Sequence, residues 1–252
     1  MVGRTAGRTR EQGWLRALTA AAEPALRLVC FPHSGGTAHA FAEWASAMPA
    51  DVQLLAVQYP GRGDRFVEPL VDDVPAMATY AAADLQQLPG DLVLFGHSLG
   101  GVVAYETAVA LRDRGREPVR LCASACLPPG QDKHSDVYTA SDDELWDTLC
   151  ALGGIEPGIA KNLELRDVLV PSLRSDLRAH ATYQPRPGTE PLSCPISCYH
   201  GLGDPLVDEQ HLEGWAAFTT GGFSIRSREG GHFHLNTDPA GLIAGVLGRD
   251  PV

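Results

Sequence analysis

Ser98 lies in Gly96-His97-Ser98-Leu99-Gly100, a Gly-x-Ser-x-Gly segment that closes the apolar run Leu92-Val93-Leu94-Phe95 and opens Val102-Val103-Ala104-Tyr105. Strand, sharp turn and helix in that order would hold the Ser98 hydroxyl clear of a sheet. Gly96 and Gly100 lack a Cβ and so let strand and helix approach closely. The helix would aim its first amides, beginning with Leu99, at the point where a tetrahedral oxyanion forms, which is the geometry of acyl transfer. Such a serine needs a base and a carboxylate. His232 follows Gly230-Gly231 beyond a short strand-like run at Phe223-Ser224-Ile225-Arg226-Ser227, and Asp204 ends Ile196-Ser197-Cys198-Tyr199-His200-Gly201-Leu202-Gly203. His232 would take the Ser98 proton, and Asp204 would hold its tautomer and stabilise the imidazolium. Asp208 competes with Asp204, although Asp208-Glu209-Gln210-His211-Leu212 reads as a helix start, where an acid serves the first turn. Asp238, before Pro239, reads as a helix cap, and His234 as a loop neighbour of His232. The loop Pro32-His33-Ser34-Gly35-Gly36-Thr37 offers a second oxyanion amide at Ser34, with Gly35 as the alternative, while His33 reads as a packed loop residue. This chemistry requires no metal and no cofactor.

Elements that could position these residues alternate along the chain. Strands are expected at Leu26–Phe31, Val52–Val57, the run before Ser98, Val119–Cys126 and Pro195–His200. Helices are expected from near His39, over Pro75–Leu88, and from Ser98 to Gly115. That order predicts an α/β domain with a mostly parallel sheet flanked by helices, with the site at the C-terminal strand edge. Trp14–Leu18 is expected as a short helical turn. Residues 128–187 break the alternation with two helical segments and read as a lid insertion. One segment starts at the capping-box arrangement Ser141-Asp142-Asp143-Glu144, the other covers Val168–Tyr183 with Pro171 near its start. Arg62 and Arg65, on a strand-end loop, could meet a substrate phosphate; the alternative is that both are solvated surface residues, or that Arg62 is held by a structural carboxylate. Residues 1–12 read as an extension outside a single domain over 13–252.

A formal charge of -11 opposes binding to nucleic acid or to anionic membranes. No run of about 18 apolar residues suggests a membrane span. The six cysteines contain no Cys-x-x-Cys and are expected as reduced thiols in a cytoplasmic protein.

The order Ser98, Asp204, His232 is the chain order of α/β-hydrolases. Phe31-Pro32-His33-Ser34-Gly35-Gly36, Tyr59-Pro60-Gly61-Arg62-Gly63, Gly96-His97-Ser98-Leu99-Gly100-Gly101, Gly201-Leu202-Gly203-Asp204 and Gly231-His232-Phe233 resemble the motifs of type II thioesterases, from about Trp14 to the C-terminus. The resemblance implies an α/β-hydrolase fold with Ser98, Asp204 and His232 as its triad. It also implies hydrolysis of misplaced acyl groups from the phosphopantetheine arms of acyl or peptidyl carrier domains in polyketide and nonribosomal peptide biosynthesis. That family often has Ala where this chain has Ser34, a difference of little weight if the backbone amide is the donor. The start at Met1 leads us to expect the free-standing editing enzyme rather than a domain fused to a synthase. A general esterase, lipase or acyltransferase on the same scaffold is the second expectation, and a catalytically silent binding protein the third.

Overall fold

The computed structural model describes residues 13–21, 24–131, 136–155 and 157–249; the expected extension 1–12 lies outside the described residues. Seven strands form one sheet in the order β1-β3-β2-β4-β5-β6-β7. They are β1 (Leu15–Ala17), β2 (Leu26–Phe31), β3 (Val52–Val57), β4 (Asp91–His97), β5 (Arg120–Ser124), β6 (Ile196–Gly201) and β7 (Phe223–Arg228). All neighbours run parallel except β1, which is antiparallel to β3. The helices are α1 (Val74–Leu85), α2 (Leu99–Arg112), α3 (Asp142–Ala151), α4 (Pro157–Ala160), α5 (Leu163–Thr182), α6 (Glu209–Leu212) and α7 (Pro239–Val246).

Parallel strands joined by helical crossovers are covered on both faces, so their sequences are apolar at successive positions rather than at alternate ones. In β2, Val29 and Phe31 face the core built with α1 and α2, whereas Leu28 and Cys30 face the core built with α7 and the 3-10 helix Ala38–Ala47. The central strands follow the same rule: Leu94 joins the first core, and Val93 and Phe95 the second. Strand β4 lies between β2 and β5, so Ser98 emerges at the middle of the sheet's C-terminal edge, where an open α/β sheet carries its site.

Trp14–Leu18 is not a helical turn. Leu15–Ala17 pairs with β3, Leu15 opposite Val57. A segment this short cannot recover the cost of nucleating a helix, but it can complete a ladder that already exists. Trp14 anchors it: its backbone amide donates to the Asp84 carboxylate at 2.5 Å, and its ring stacks on Tyr80 with centroids 5.2 Å apart. The segment near His39 forms a 3-10 helix, with the Thr37 hydroxyl accepting from the His39 amide.

Among the described residues between β5 and β6 there is no strand of the sheet; α3, α4 and α5 lie in the segment. The Ser141–Glu144 capping box is present at the start of α3. Helix α5 begins earlier than Val168, because Asn162 caps it by accepting from the Leu165 amide at 3.1 Å. Pro171 lies in its interior and removes a single backbone donor from the helix ladder. Leu145, Trp146, Val170 and Leu173 form a small core of their own, separate from the two sheet cores. All six cysteines are free thiols, and among the described residues no helix is long and apolar enough to cross a membrane.

Candidate active site

Ser98 stands at the junction of β4 and α2 with φ 54° and ψ −123°. A non-glycine residue there costs on the order of 1–3 kcal/mol, which persists only where the surroundings impose it. Two glycines impose it here. A Cβ on Gly96 would lie 2.0 Å from the Gly100 carbonyl oxygen, and one on Gly100 would lie 2.1 Å from the Phe31 carbonyl oxygen. Ser98 occupies the N-cap of α2, yet its hydroxyl does not cap the helix. The Ser98 amide donates to the Ser124 carbonyl at 2.8 Å, which ties the turn to β5.

His232 and Asp204 meet directly, with Nδ1 of the histidine 2.9 Å from Oδ2 of the carboxylate. The Asp204 side chain is fully buried and that of His232 is 5% exposed. Their loops meet because the Gly203 amide donates to the Gly230 carbonyl and the Leu202 amide to Arg228, both at 2.9 Å. A Cβ on Gly201 would lie 2.2 Å from the Gly231 carbonyl oxygen. Oδ1 of Asp204 accepts from the Leu206 amide at 2.9 Å, so both carboxylate oxygens are engaged and its orientation is fixed. With Nδ1 donating to Asp204, Nε2 of His232 is the accepting nitrogen, the tautomer that a general base requires. The competing acids have other tasks. Asp208 caps α6 by accepting from Gln210, and Asp238 caps α7 by accepting from Gly241 and pairs with Arg228.

Ser98, His232, His33 and Ser34 line one cavity of ≈ 140 Å³, whose remaining wall is mostly leucine and valine. Leu145, Leu149, Leu173 and Leu177 of the insertion contribute to it. In the Pro32–Thr37 loop, the Gly35 amide donates to Asp176 Oδ2 at 2.7 Å, whereas the Ser34 amide makes no hydrogen bond among the described residues. The Ser34 hydroxyl is buried and likewise lacks a partner. Arg62 and Arg65 do not reach outward to a substrate phosphate. Arg62 is 3% exposed and pairs with Asp176, while Arg65 is 5% exposed and pairs with Glu68. Sequence reasoning missed Asp176 altogether. Its signal was a carboxylate on the buried face of α5, three residues after Leu173 and three before Ala179, both buried.

A second serine and histidine grouping lies beneath the first. The Ser124 hydroxyl sits 3.0 Å from Nδ1 of His97 and 3.0 Å from Nε2 of His234. Ser124 and His97 are fully buried and His234 nearly so. Ser124 does not line the cavity, and among the described residues no carboxylate hydrogen-bonds to either histidine, so this trio is packing, with the His97 ring 5.3 Å from that of His232. His234, the loop neighbour of His232, is therefore a buried partner of Ser124. Burial lowers the pKa of His33 to about 4 and, with Arg228 adding to it, that of His234 to about 4. Burial also holds His97 well below the ordinary range. In the unfolded chain these groups titrate near 6.5. Between about pH 6.5 and pH 4 the unfolded state binds more protons than the folded state, so stability falls on acidification through that window. Melting temperatures recorded at pH 7, 6 and 5 are expected to decline in that order; a flat profile would show that the histidines are not held neutral by folding.

The thioesterase domain family matches residues 26–248. The chain is 37% identical over 226 residues to thioesterase PikA5 of Streptomyces venezuelae, covering 88% of this chain and 80% of that protein. Among solved structures, the type II thioesterase BorB from the borrelidin biosynthetic cluster superposes with TM-score 0.86 at 34% identity, covering 95% of this chain and 100% of the other. RedJ, a thioesterase of the prodiginine biosynthetic pathway in Streptomyces coelicolor, superposes with TM-score 0.83 at 36% identity over 93% and 91% of the two chains. With its mostly parallel seven-stranded sheet and its match along nearly the whole described length, the chain belongs to the thioesterase domain family and has the α/β-hydrolase fold.

Proposed function

We propose that this protein is a type II thioesterase that removes stalled or aberrant acyl groups from the phosphopantetheine arms of carrier proteins in polyketide or nonribosomal peptide biosynthesis, using Ser98, His232 and Asp204. Ser98 Oγ attacks the thioester carbonyl as Nε2 of His232 takes its proton; the collapse of the tetrahedral intermediate releases the thiol, which receives that proton. Water then attacks the acyl-serine ester, giving a proton to His232, which returns it to Ser98 as the acid departs. Asp204 stabilises the imidazolium in both halves. The amides of Leu99 and Ser34 hold the oxyanion, a reading supported by the engagement of the Gly35 amide with Asp176. The observation that carries the proposal is the convergence of a strained serine and a carboxylate-oriented histidine on a single apolar cavity. The likeness to BorB, a type II thioesterase of a biosynthetic cluster, and to YbtT, a type II thioesterase of an NRPS/PKS pathway, supports a thioester substrate of that setting.

The insertion, with its own small core and its leucines on the cavity, acts in this reading as a lid over the acyl chain. A carrier-bound arm contributes binding energy remote from the carbonyl, which positions the ester for attack. The test is kcat/KM for one acyl group presented on a carrier protein, on free pantetheine and on an oxygen ester. The carrier thioester is expected to be best by at least about tenfold, the scale of a single modest remote contact. Equal or better hydrolysis of a long-chain oxygen ester would make the protein an esterase or lipase instead.

A further inference from the structure

We infer that Asp176, carried by the insertion, is a positioning residue for the oxyanion site, holding the Ser34 loop through the Gly35 amide while Arg62 holds Asp176. The inference rests on the proposed hydrolysis at Ser98. Asp176 is fully buried, and its two oxygens are divided between partners from different parts of the chain. Oδ2 accepts from the Gly35 amide at 2.7 Å and from Arg62 Nη1, and Oδ1 accepts from Arg62 Nη2 at 2.8 Å. The Arg62 guanidinium lies over the Tyr59 ring, 5.4 Å from its centroid. The Gln58 side chain ties this segment to the loop, donating to the Arg62 carbonyl and accepting from the Ala38 amide.

The local geometry explains why such a clamp matters to Ser34. The Gly36 amide donates to the His33 carbonyl at 2.9 Å, which fixes one edge of the His33–Ser34 peptide. Because a trans peptide directs its N–H opposite its C=O, the direction of the Ser34 amide follows. Among the described residues, the next peptide plane, Ser34–Gly35, is held only through its N–H on Asp176. Gly35 has φ +76°, a conformation that leaves the backbone free to turn unless something restrains it. Freed from Asp176, that plane can rotate, presenting its own amide to the cavity or carrying Gly36 away from the His33 carbonyl and so releasing the bond that directs the Ser34 amide. Leu173, one turn before Asp176 on α5, packs over Gly35 and also lines the acyl cavity. A single rigid helix thus sets both the acyl wall and the orientation of the oxyanion loop.

Removing Asp176 alone would strand a buried guanidinium, so the test replaces both charges. Arg62→Met with Asp176→Leu fills the space with apolar groups, an exchange that buried ion pairs often tolerate, and leaves Gly35 without an acceptor. Arg62→Met with Asp176→Asn restores a neutral acceptor for the same amide. With an acyl-pantetheine thioester, the Met/Leu protein is expected to lose about 10²-fold in kcat, the scale of one lost oxyanion donor, with KM within about threefold of the parent. Inhibition by a trifluoromethyl ketone, whose adduct carries the oxyanion, should weaken in parallel. The Met/Asn protein should recover at least about tenfold of the loss. Equal impairment of the two double variants, parental kcat in both, or a rise in KM alone would overturn the positioning role. Independently of any substitution, the Gly35 amide of the parent protein should exchange its hydrogen as slowly as the β4 amides, and rapid exchange would overturn the role even if neither double variant folds. If the parent protein does not hydrolyse the thioester at all, the proposed function fails first, and the two failures are thereby distinguished.

Discussion

Ser98→Ala is expected to lower kcat by about 10⁴- to 10⁶-fold, the range over which single members of a serine triad register, while leaving the melting temperature nearly unchanged. The hydroxyl makes no cap on α2, so its loss removes a nucleophile and no structural bond. Stability separates the roles further. At φ 54° a Cβ is strained whatever the side chain, and Ser98→Gly should therefore be more stable than the parent by about 1 kcal/mol and equally inactive. The measurements are single-turnover thioester hydrolysis, thermal unfolding, and covalent labelling by a fluorophosphonate, which should modify the parent at Ser98 and neither variant. Turnover by Ser98→Ala within tenfold of the parent would remove Ser98 as nucleophile.

For Asp204→Asn the expected loss in kcat is about 10⁴-fold, through the wrong tautomer of His232. The carboxylate accepts from Nδ1 of His232 and from the Leu206 amide at 2.9 Å each. An Asn can keep the second bond only by turning its NH₂ toward the ring, which then must accept at Nδ1 and carry its proton on Nε2. With its proton on Nε2 the ring has no nitrogen free to take the Ser98 proton, and the base is lost. Asp208→Asn is the control, because Asn caps a helix about as well as Asp, and it should change kcat less than twofold. Losses of similar size at the two positions would leave the carboxylate unassigned.

Much of the site was legible because its constraints are local. Gly96, Ser98 and Gly100 lie within five residues, and the turn of strand into helix crowds Gly96 against Gly100 within that span, while the demand on Gly100 is added by Phe31 of the adjacent strand. The strand and helix alternation was legible for a similar reason, since burial on both faces of a parallel sheet demands unbroken apolar runs. Segments without a strong period were not. Trp14–Leu18 became a strand because β3 had an unpaired edge to offer, a fact that no window of five residues contains.

The sequence alone determined the scaffold class, the chain order of the three residues proposed as nucleophile, acid and base, and the helix cap at Asp238; Asp208, read from the sequence as a first-turn acid, is the cap of α6. Tertiary structure alone decided how those parts are held. It paired Asp204 with His232 across 28 residues, sank Ser124 between His97 and His234, and turned Arg62 from a candidate phosphate contact into the partner of Asp176, 114 residues away. Such pairings depend on which buried charges the folded chain brings within reach of one another. A charge in the sequence carries no mark of its burial, and the cost of burying it is met only by a partner that the fold supplies.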